Sequence, residues 1–320
     1  MLNQTNRLLL WKVFSLFSLV RGYNIWLIAL AQYLSAIFVL APQRSALSIL
    51  LDKYMFAIVL ATILSVASGY IINNFYDTEK DFINRPIKTK IDRVLSQTTR
   101  LKIYFGTNFI IFCLSFLISW RATLFFSVYI FLIWFYSHKL KKYPIIGNIT
   151  FSLLVVLPFF AVLFYYQKEE LFNVLHHKHK YFIIFAHASF LYLLIFIREI
   201  TKDLENIKGD FLSNYRTIPV VYGERTSKYV ISFLTALTII PIYILIEKAN
   251  VGYMDIYLYF SLFGLVLFLF FLWNSQNKEH FIASHNFLKF LITLGVFSVI
   301  LIEPSLLWKT RELIEQHFNL

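Results

Sequence analysis

Apolar residues run along this chain in long blocks separated by short polar stretches. A block of about 20 mostly apolar residues is long enough to cross the hydrocarbon core of a bilayer as a helix. Such blocks fall near residues 23–41, 54–73, 103–120, 122–137, 145–166, 181–199, 228–247, 254–273 and 287–308, which predicts nine spans. The third and fourth are divided only by Trp120-Arg121. Ahead of them, residues 5–20 set Arg7 and Lys12 among leucines, so residues 1–22 read as an amphipathic helix lying on the membrane surface. Lys12 interrupts the apolar run and no small-residue cleavage site follows, which argues against a removable leader.

Composition supports this environment. Of the 320 residues 58% are apolar and 15% charged, with a mean hydropathy of +0.65, whereas soluble domains carry about a quarter charged residues. Thirty-five Phe and twenty Tyr suit lipid-facing and interfacial positions. The expected fold is an all-α integral membrane protein, a single domain over 1–320 with about nine helices around a central cavity. Twenty-one of the thirty Lys and Arg fall on one side of the predicted spans, which makes that side cytoplasmic and the host a cell (inner) membrane. The net charge of +12 is thus a topology signal and calls for no nucleic-acid partner. The single cysteine, Cys113, permits no disulfide within the chain and reads as a small packed hydrophobe.

Two acidic clusters stand out against this apolar background. One is Asn73-Asn74-Phe75-Tyr76-Asp77-Thr78-Glu79-Lys80-Asp81; the other runs from Arg198-Glu199 through Lys202-Asp203 and Glu205-Asn206 to Gly209-Asp210. Helical spacing puts Asn73, Asp77 and Asp81 on one face and Asp203, Asn206 and Asp210 on another. Both fall at the cytoplasmic ends of spans, leading into active-site loops expected over 74–102 and 200–227. Carboxylates in such a lining are costly unless they face water, a metal or a partner. Each cluster is followed by an Asn, an Arg and a Pro, so the chain reads as a weak duplication in which Asp81 and Asp210 correspond. A parallel repeat would bring the two faces opposite each other across the cavity.

Such a cavity suits Mg²⁺, which takes one or two protein carboxylates plus phosphate oxygens. Asp77 with Asp81 could hold one ion and Asp203 with Asp210 a second. Metal and nearby cations would make a diphosphate a good leaving group, and the aromatic bundle would shelter an allylic cation from water.

Asn73-x-x-x-Asp77-x-x-x-Asp81 with Asn84-Arg85-Pro86 resembles the first signature of the UbiA family of intramembrane prenyltransferases. Arg198-Glu199-Ile200-Thr201-Lys202-Asp203 to Gly209-Asp210, then Arg216-Thr217-Ile218-Pro219 and Gly223, resembles the second. The resemblance covers nearly the whole chain. It implies a helical bundle, Mg²⁺ dependence, and prenyl transfer from a prenyl diphosphate donor to a membrane-associated acceptor. The pattern leans toward geranylgeranylglyceryl phosphate as acceptor, with an aromatic quinone precursor as the alternative. One position departs from the family's Asp-x-x-x-Asp: Asn206 offers an oxygen but no charge.

The implied metal ligands are Asn73, Asp77, Asp81, Asp203 and Asp210, with Asn206 in support. Diphosphate contacts are expected from Arg85, Lys88, Lys202, Arg198 and Lys139, and substrate contacts from Arg21 and Asn24 where the first span opens. His176, His177 and His179 read as a solvated loop, and Glu303-Pro304 as a helix kink. An ion-coupled transporter would place its acids near mid-membrane on broken helices, and here they sit at span ends.

Overall fold

The apolar blocks become helices because a backbone in hydrocarbon must satisfy its own hydrogen bonds. The computed structural model describes residues 4–170, 178–249 and 251–306 and contains no β-strand among them. Helix α1 (Gln4–Leu19) precedes α2 (Gly22–Ser35), which continues through a π-helical turn over Ala36–Leu40. A short α3 (Ala46–Leu50) leads to α4 (Lys53–Tyr76). Asp52 caps α4 by accepting from the amides of Tyr54 and Met55, two donors that a first turn leaves open. Two short helices follow, α5 (Thr78–Asn84) and α6 (Pro86–Asp92), the second opened by Pro86. Helices α7 (Gln97–Ile118) and α8 (Trp120–His138) form the next pair. Beyond them come α9 (Ile146–Glu170), α10 (Lys178–Leu212), α11 (Ile218–Leu237), α12 (Ile239–Ala249), α13 (Met254–Asn274) and α14 (Lys278–Ser298).

Nine helical segments among the described residues have the length and composition to cross a membrane. The narrow split between α7 and α8 exists, one residue earlier than the sequence indicates. Ser119 adopts an extended conformation, and its hydroxyl caps α8 by accepting from Ala122 N at 3.2 Å. Several helices outrun their apolar blocks: α7 begins at Gln97 rather than 103 and α14 at Lys278 rather than 287, while α11 opens with a turn at Ile218 that is broken at Gly223 (φ 82°) before its main helix, which still starts ahead of 228. Hydropathy marks only the segment that lies in hydrocarbon, whereas capping residues such as Ser96 set the true start.

The second acidic cluster does not lie in a loop. Helix α10 runs 35 residues, about 52 Å at 1.5 Å per residue, well beyond a hydrocarbon core of about 30 Å. Its final turns carry Asp203 to Asp210 as a rigid helical face, and only residues 213–217 separate α10 from α11. Residues 74–102 are likewise mostly helical, through the end of α4, α5, α6 and the start of α7.

One apolar core gathers residues from Leu19 to Tyr166 together with Ile184, a second gathers Ala186 to Leu291, and Val156, Ala188 and Ile195 form a smaller cluster between α9 and α10. Helix α1 lies against α6, where Ser15 Oγ donates to Ile91 O at 2.9 Å. Its Leu10, Trp11, Phe14 and Phe17 remain exposed.

Cys113 is exposed on α7 rather than packed in the core, so its apolar surroundings are the outer face of the bundle. Glu303-Pro304 interrupts the helical run: α14 passes into a 3₁₀ turn over Val299–Ile302, Glu303 leaves the helix, and Ser305 and Leu306 are helical again. His176 and His177 lie outside the described residues.

Candidate active site

Helices α2, α4, α8, α9, α10 and α14 surround a cavity of about 360 Å³, a size suited to a small ligand. Its lining changes character along its length. Leu27, Val66, Ile133, Leu154, Ile195 and Ile292, one from each of these helices, form an apolar end. The opposite end is formed by the two acidic clusters and their cations.

The first cluster is built on the last turn of α4 and on α5. Asn73 and Asp77 are four residues apart, so Asn73 Nδ2 donates to Asp77 Oδ2 at 2.9 Å. Lys141, delivered by the turn after α8, reaches both: its Nζ is 2.7 Å from Asp77 Oδ1 and donates to Asn73 Oδ1 at 3.0 Å. Tyr215 OH donates to Asp77 Oδ1 at 2.6 Å. Burial raises the Asp77 carboxyl, but the Lys141 and Lys80 ammonium groups outweigh it and hold the group below the usual carboxylate range.

The Asp81 carboxylate, one turn on, lines the cavity and makes no hydrogen bond or ion pair to another described residue, although its backbone N–H donates to Asp77 O at 2.8 Å. Burial and the adjacent Asp77 charge push its carboxyl up, and Arg21, Lys80 and Arg85 offset this only in part. Two neighbouring carboxylates at a cavity wall, one lacking a partner, form a site that a cation would relieve.

The second cluster occupies the end of α10. Asp203 Oδ2 accepts from Asn148 Nδ2 on α9 at 2.7 Å. Asn206 Nδ2 donates to Lys202 O at 2.7 Å, which leaves its buried Oδ1 without a hydrogen bond at the cavity wall. Glu199 pairs with Lys202 through one oxygen, and its other oxygen is buried and unpartnered. Asp210, fully buried, meets Lys80 Nζ at 2.7 Å from Oδ1. Burial opposes the charge on Lys80, but Asp210 and Asp77 hold its ammonium pKa well above the usual lysine range. Glu205 ties the connection between α5 and α6 to the bundle, at 3.1 Å from both Arg85 Nη2 and His285 Nδ1.

The donor set is wholly oxygen, which matches the preference of Mg²⁺. Asp81, Asn206 Oδ1 and Glu199 Oε2 all have unused acceptor capacity at or beside the cavity. Among the described residues no three Asp, Glu, His or Cys side chains converge closely enough to hold a metal by themselves. That fits an ion which takes only one or two protein carboxylates and completes its shell from substrate phosphate and water.

The model of the UbiA prenyltransferase family matches residues 29–294. The chain belongs to this family. It is therefore a prenyltransferase and a multi-pass integral membrane protein. It is similar to the digeranylgeranylglyceryl phosphate synthase of Thermococcus gammatolerans, with 28% identity over 78% of this chain and 86% of that protein. Its fold resembles a solved structure concerned with digeranylgeranylglyceryl phosphate synthase, at a TM-score of 0.64 and 21% identity over 90% of this chain and 97% of the other. It also resembles a UbiA homologue from Archaeoglobus fulgidus solved with DMAPP and Mg²⁺, at a TM-score of 0.63 and 16% identity over 89% and 99% of the two chains. Family membership leaves no ground for the transporter reading.

Within this UbiA-family chain, ten of the residues expected from sequence line the cavity. They are Asn73, Asp77 and Asp81 of the first cluster, Arg198, Lys202, Asp203 and Asn206 of the second, and Arg21, Asn24 and Arg85. Arg21 stacks its guanidinium 5.2 Å from the Tyr70 ring centroid, and Asn24 Nδ2 donates to Tyr70 OH at 3.1 Å.

Three expected residues stand apart from the lining. Lys88 pairs with Asp92 at 2.9 Å, because the helical register of α6 turns it toward its own i+4 neighbour. Lys139 is exposed at the end of α8, while Lys141 two residues later turns inward. Asp210 lies behind Lys80. Lys80, Glu199, Asn148 and Tyr215 join the site without a role expected from sequence. Lys80 and Glu199 lie inside the quoted motifs and were legible there, whereas Asn148 and Tyr215 arrive through tertiary packing alone.

Proposed function

We propose that this protein catalyses Mg²⁺-dependent transfer of a polyprenyl group from an allylic prenyl diphosphate to geranylgeranylglyceryl phosphate, an ether-lipid step. The observation that carries this reading is the division of one cavity into a charged end and an apolar end. A prenyl diphosphate has the same division, and the similarity to digeranylgeranylglyceryl phosphate synthases supports this acceptor.

In this reading Asp77, Asp81 and Asp203, helped by Asn73 and Asn206, hold Mg²⁺, while Arg21, Arg85, Arg198 and Lys202 face the phosphates. Mg²⁺ held there would supply positive charge to the diphosphate and so improve it as a leaving group. The C1–O bond of the donor breaks and the diphosphate departs with the electron pair. The acceptor hydroxyl oxygen then bonds to C1, and its proton passes to a carboxylate or to a departing phosphate oxygen. Tyr129, Tyr136, Phe151 and Phe159 line the cavity where the allylic cation forms; their rings favour a cation and exclude water. The concentration of Lys and Arg on the side of both clusters supports a cytoplasmic active site in the cell membrane.

The test is product mass after incubation of purified protein with geranylgeranyl diphosphate, Mg²⁺ and each acceptor separately. Diphosphate release coupled to a glyceryl phosphate ether is the expected result. Release only with an aromatic acceptor would replace the acceptor and leave the site intact. Absence of turnover with every acceptor and donor length, from folded protein, would reject the reading.

A further inference from the structure

We propose that Lys80 serves as the second cation of the diphosphate site, so that this chain binds its donor with one divalent ion and one lysine. The proposal rests on reading the cavity as a prenyl diphosphate site.

Geometry is the first support. Lys80 lies on α5 between the two carboxylates of the first cluster, yet its ammonium crosses to the second cluster. Its Nζ is 2.7 Å from Asp210 Oδ1 and 4.3 Å from the centroid of the Tyr215 ring, and the residue lines the cavity. An ammonium has three donors. The contact with Asp210 is an ion pair, and the ammonium donors are open to a ligand in the cavity.

The donor set on α10 is the second support. A divalent ion there would draw on Asp203, Asn206 and Asp210. Asn206 contributes no charge, Asp203 already accepts from Asn148 at 2.7 Å, and Asp210 is fully buried behind Lys80, off the cavity lining. Two carboxylates face the cavity from this side, Asp203 and Glu199, and Glu199 is already paired with Lys202. The side of Asp77 and Asp81 is different: the Asp81 carboxylate faces the cavity with no partner among the described residues.

Net charge is the third support. Seven basic residues line the cavity against four acidic ones. The wall is already positive, so one Mg²⁺ and the resident cations suffice for a diphosphate. A second Mg²⁺ would meet the Lys80 ammonium in the position where it would have to sit, and like charges at contact repel strongly in a water-poor site. Lysine acts here as a point charge for phosphate. It takes no part in the bonds made and broken.

The test counts bound metal. Mn²⁺, a paramagnetic substitute for Mg²⁺, is titrated into purified protein holding geranylgeranyl diphosphate without acceptor, and bound ions are counted by electron paramagnetic resonance. The expected result is one Mn²⁺ per chain, and two per wild-type chain would overturn the proposal. Lys80→Met should weaken geranylgeranyl diphosphate binding at least fivefold at saturating Mg²⁺. A smaller loss in folded variant would also overturn it. The double variant Lys80→Met with Asn206→Asp should bind two Mn²⁺ and regain donor affinity. If Lys80→Met does not fold, the wild-type count decides alone. Folded wild-type protein that binds no geranylgeranyl diphosphate at any Mg²⁺ concentration would instead reject the diphosphate reading on which the proposal stands.

Discussion

Asp77 is the most heavily supported carboxylate in the cavity, with Lys141, Asn73 and Tyr215 all bonded to it. The Asp77 and Lys141 side chains are only 9% and 6% exposed, so solvent screens the pair little. Removing one partner of a buried pair costs about 3–5 kcal/mol, because the other charge is left uncompensated. Lys141→Met should therefore lower stability by an amount of this order. The pH dependence has a definite sign. A carboxylate whose folded pKa is depressed stabilises the fold above its unfolded value, here 3.8, and that contribution disappears as pH falls through the folded value. In Lys141→Met the depression is reduced, and the acid limb of the stability profile should move toward neutral pH. Denaturation midpoints across the acid range measure this; an unchanged acid limb would mean that Lys141 is not the main counter-charge.

At the scale of elements, the site depends on the connection between α5 and α6 being pinned to α10 and α14. Arg85 bonds Glu205, and Lys278 Nζ donates to Asn84 O at 3.2 Å. Gly209 on α10 allows the close approach: a Cβ there would lie 2.3 Å from both amide heteroatoms of Asn84. The atoms met are the end of the Asn84 side chain, which can turn away, so the cost lies at the low end of the range of about 1–3 kcal/mol for overpacking, against a gain of up to about 1 kcal/mol in helix propensity for Gly→Ala. Gly209→Ala should lower the melting temperature and loosen residues 78–92 in hydrogen exchange. A raised melting temperature with unchanged exchange would contradict the pinning.

The same elements explain what could be read from the chain itself. Block length and apolar content revealed the nine spans, because hydrocarbon thickness imposes them. They did not reveal where α10 stops: its charged final turns look like loop to a hydropathy window, and remain helical because their charges are matched by α5, α9 and α14. Helical spacing identified Asp77, Asp81 and Asp203 as sharing a lining. It missed Asn148 and Tyr215, whose approach is set by contacts 55 and 138 residues apart in sequence. Lys88 and Lys139 were read by proximity to motifs, and the register of α6 and the end of α8 turned them elsewhere.

For the whole molecule, the two apolar cores on either side of the cavity place one acidic cluster on each half. The site exists only where the halves meet, and its apolar end continues between them into the bundle. A bound prenyl diphosphate should span this division. The most direct test is an experimental structure with geranylgeranyl diphosphate and Mn²⁺, the metal located by its anomalous signal. The expected result is an Mn²⁺ between the diphosphate and the Asp77–Asp81 carboxylates, with the isoprenoid tail running past Leu27, Val66 and Ile292. Metal bound away from both acidic clusters, or a tail lying outside the bundle, would contradict the account.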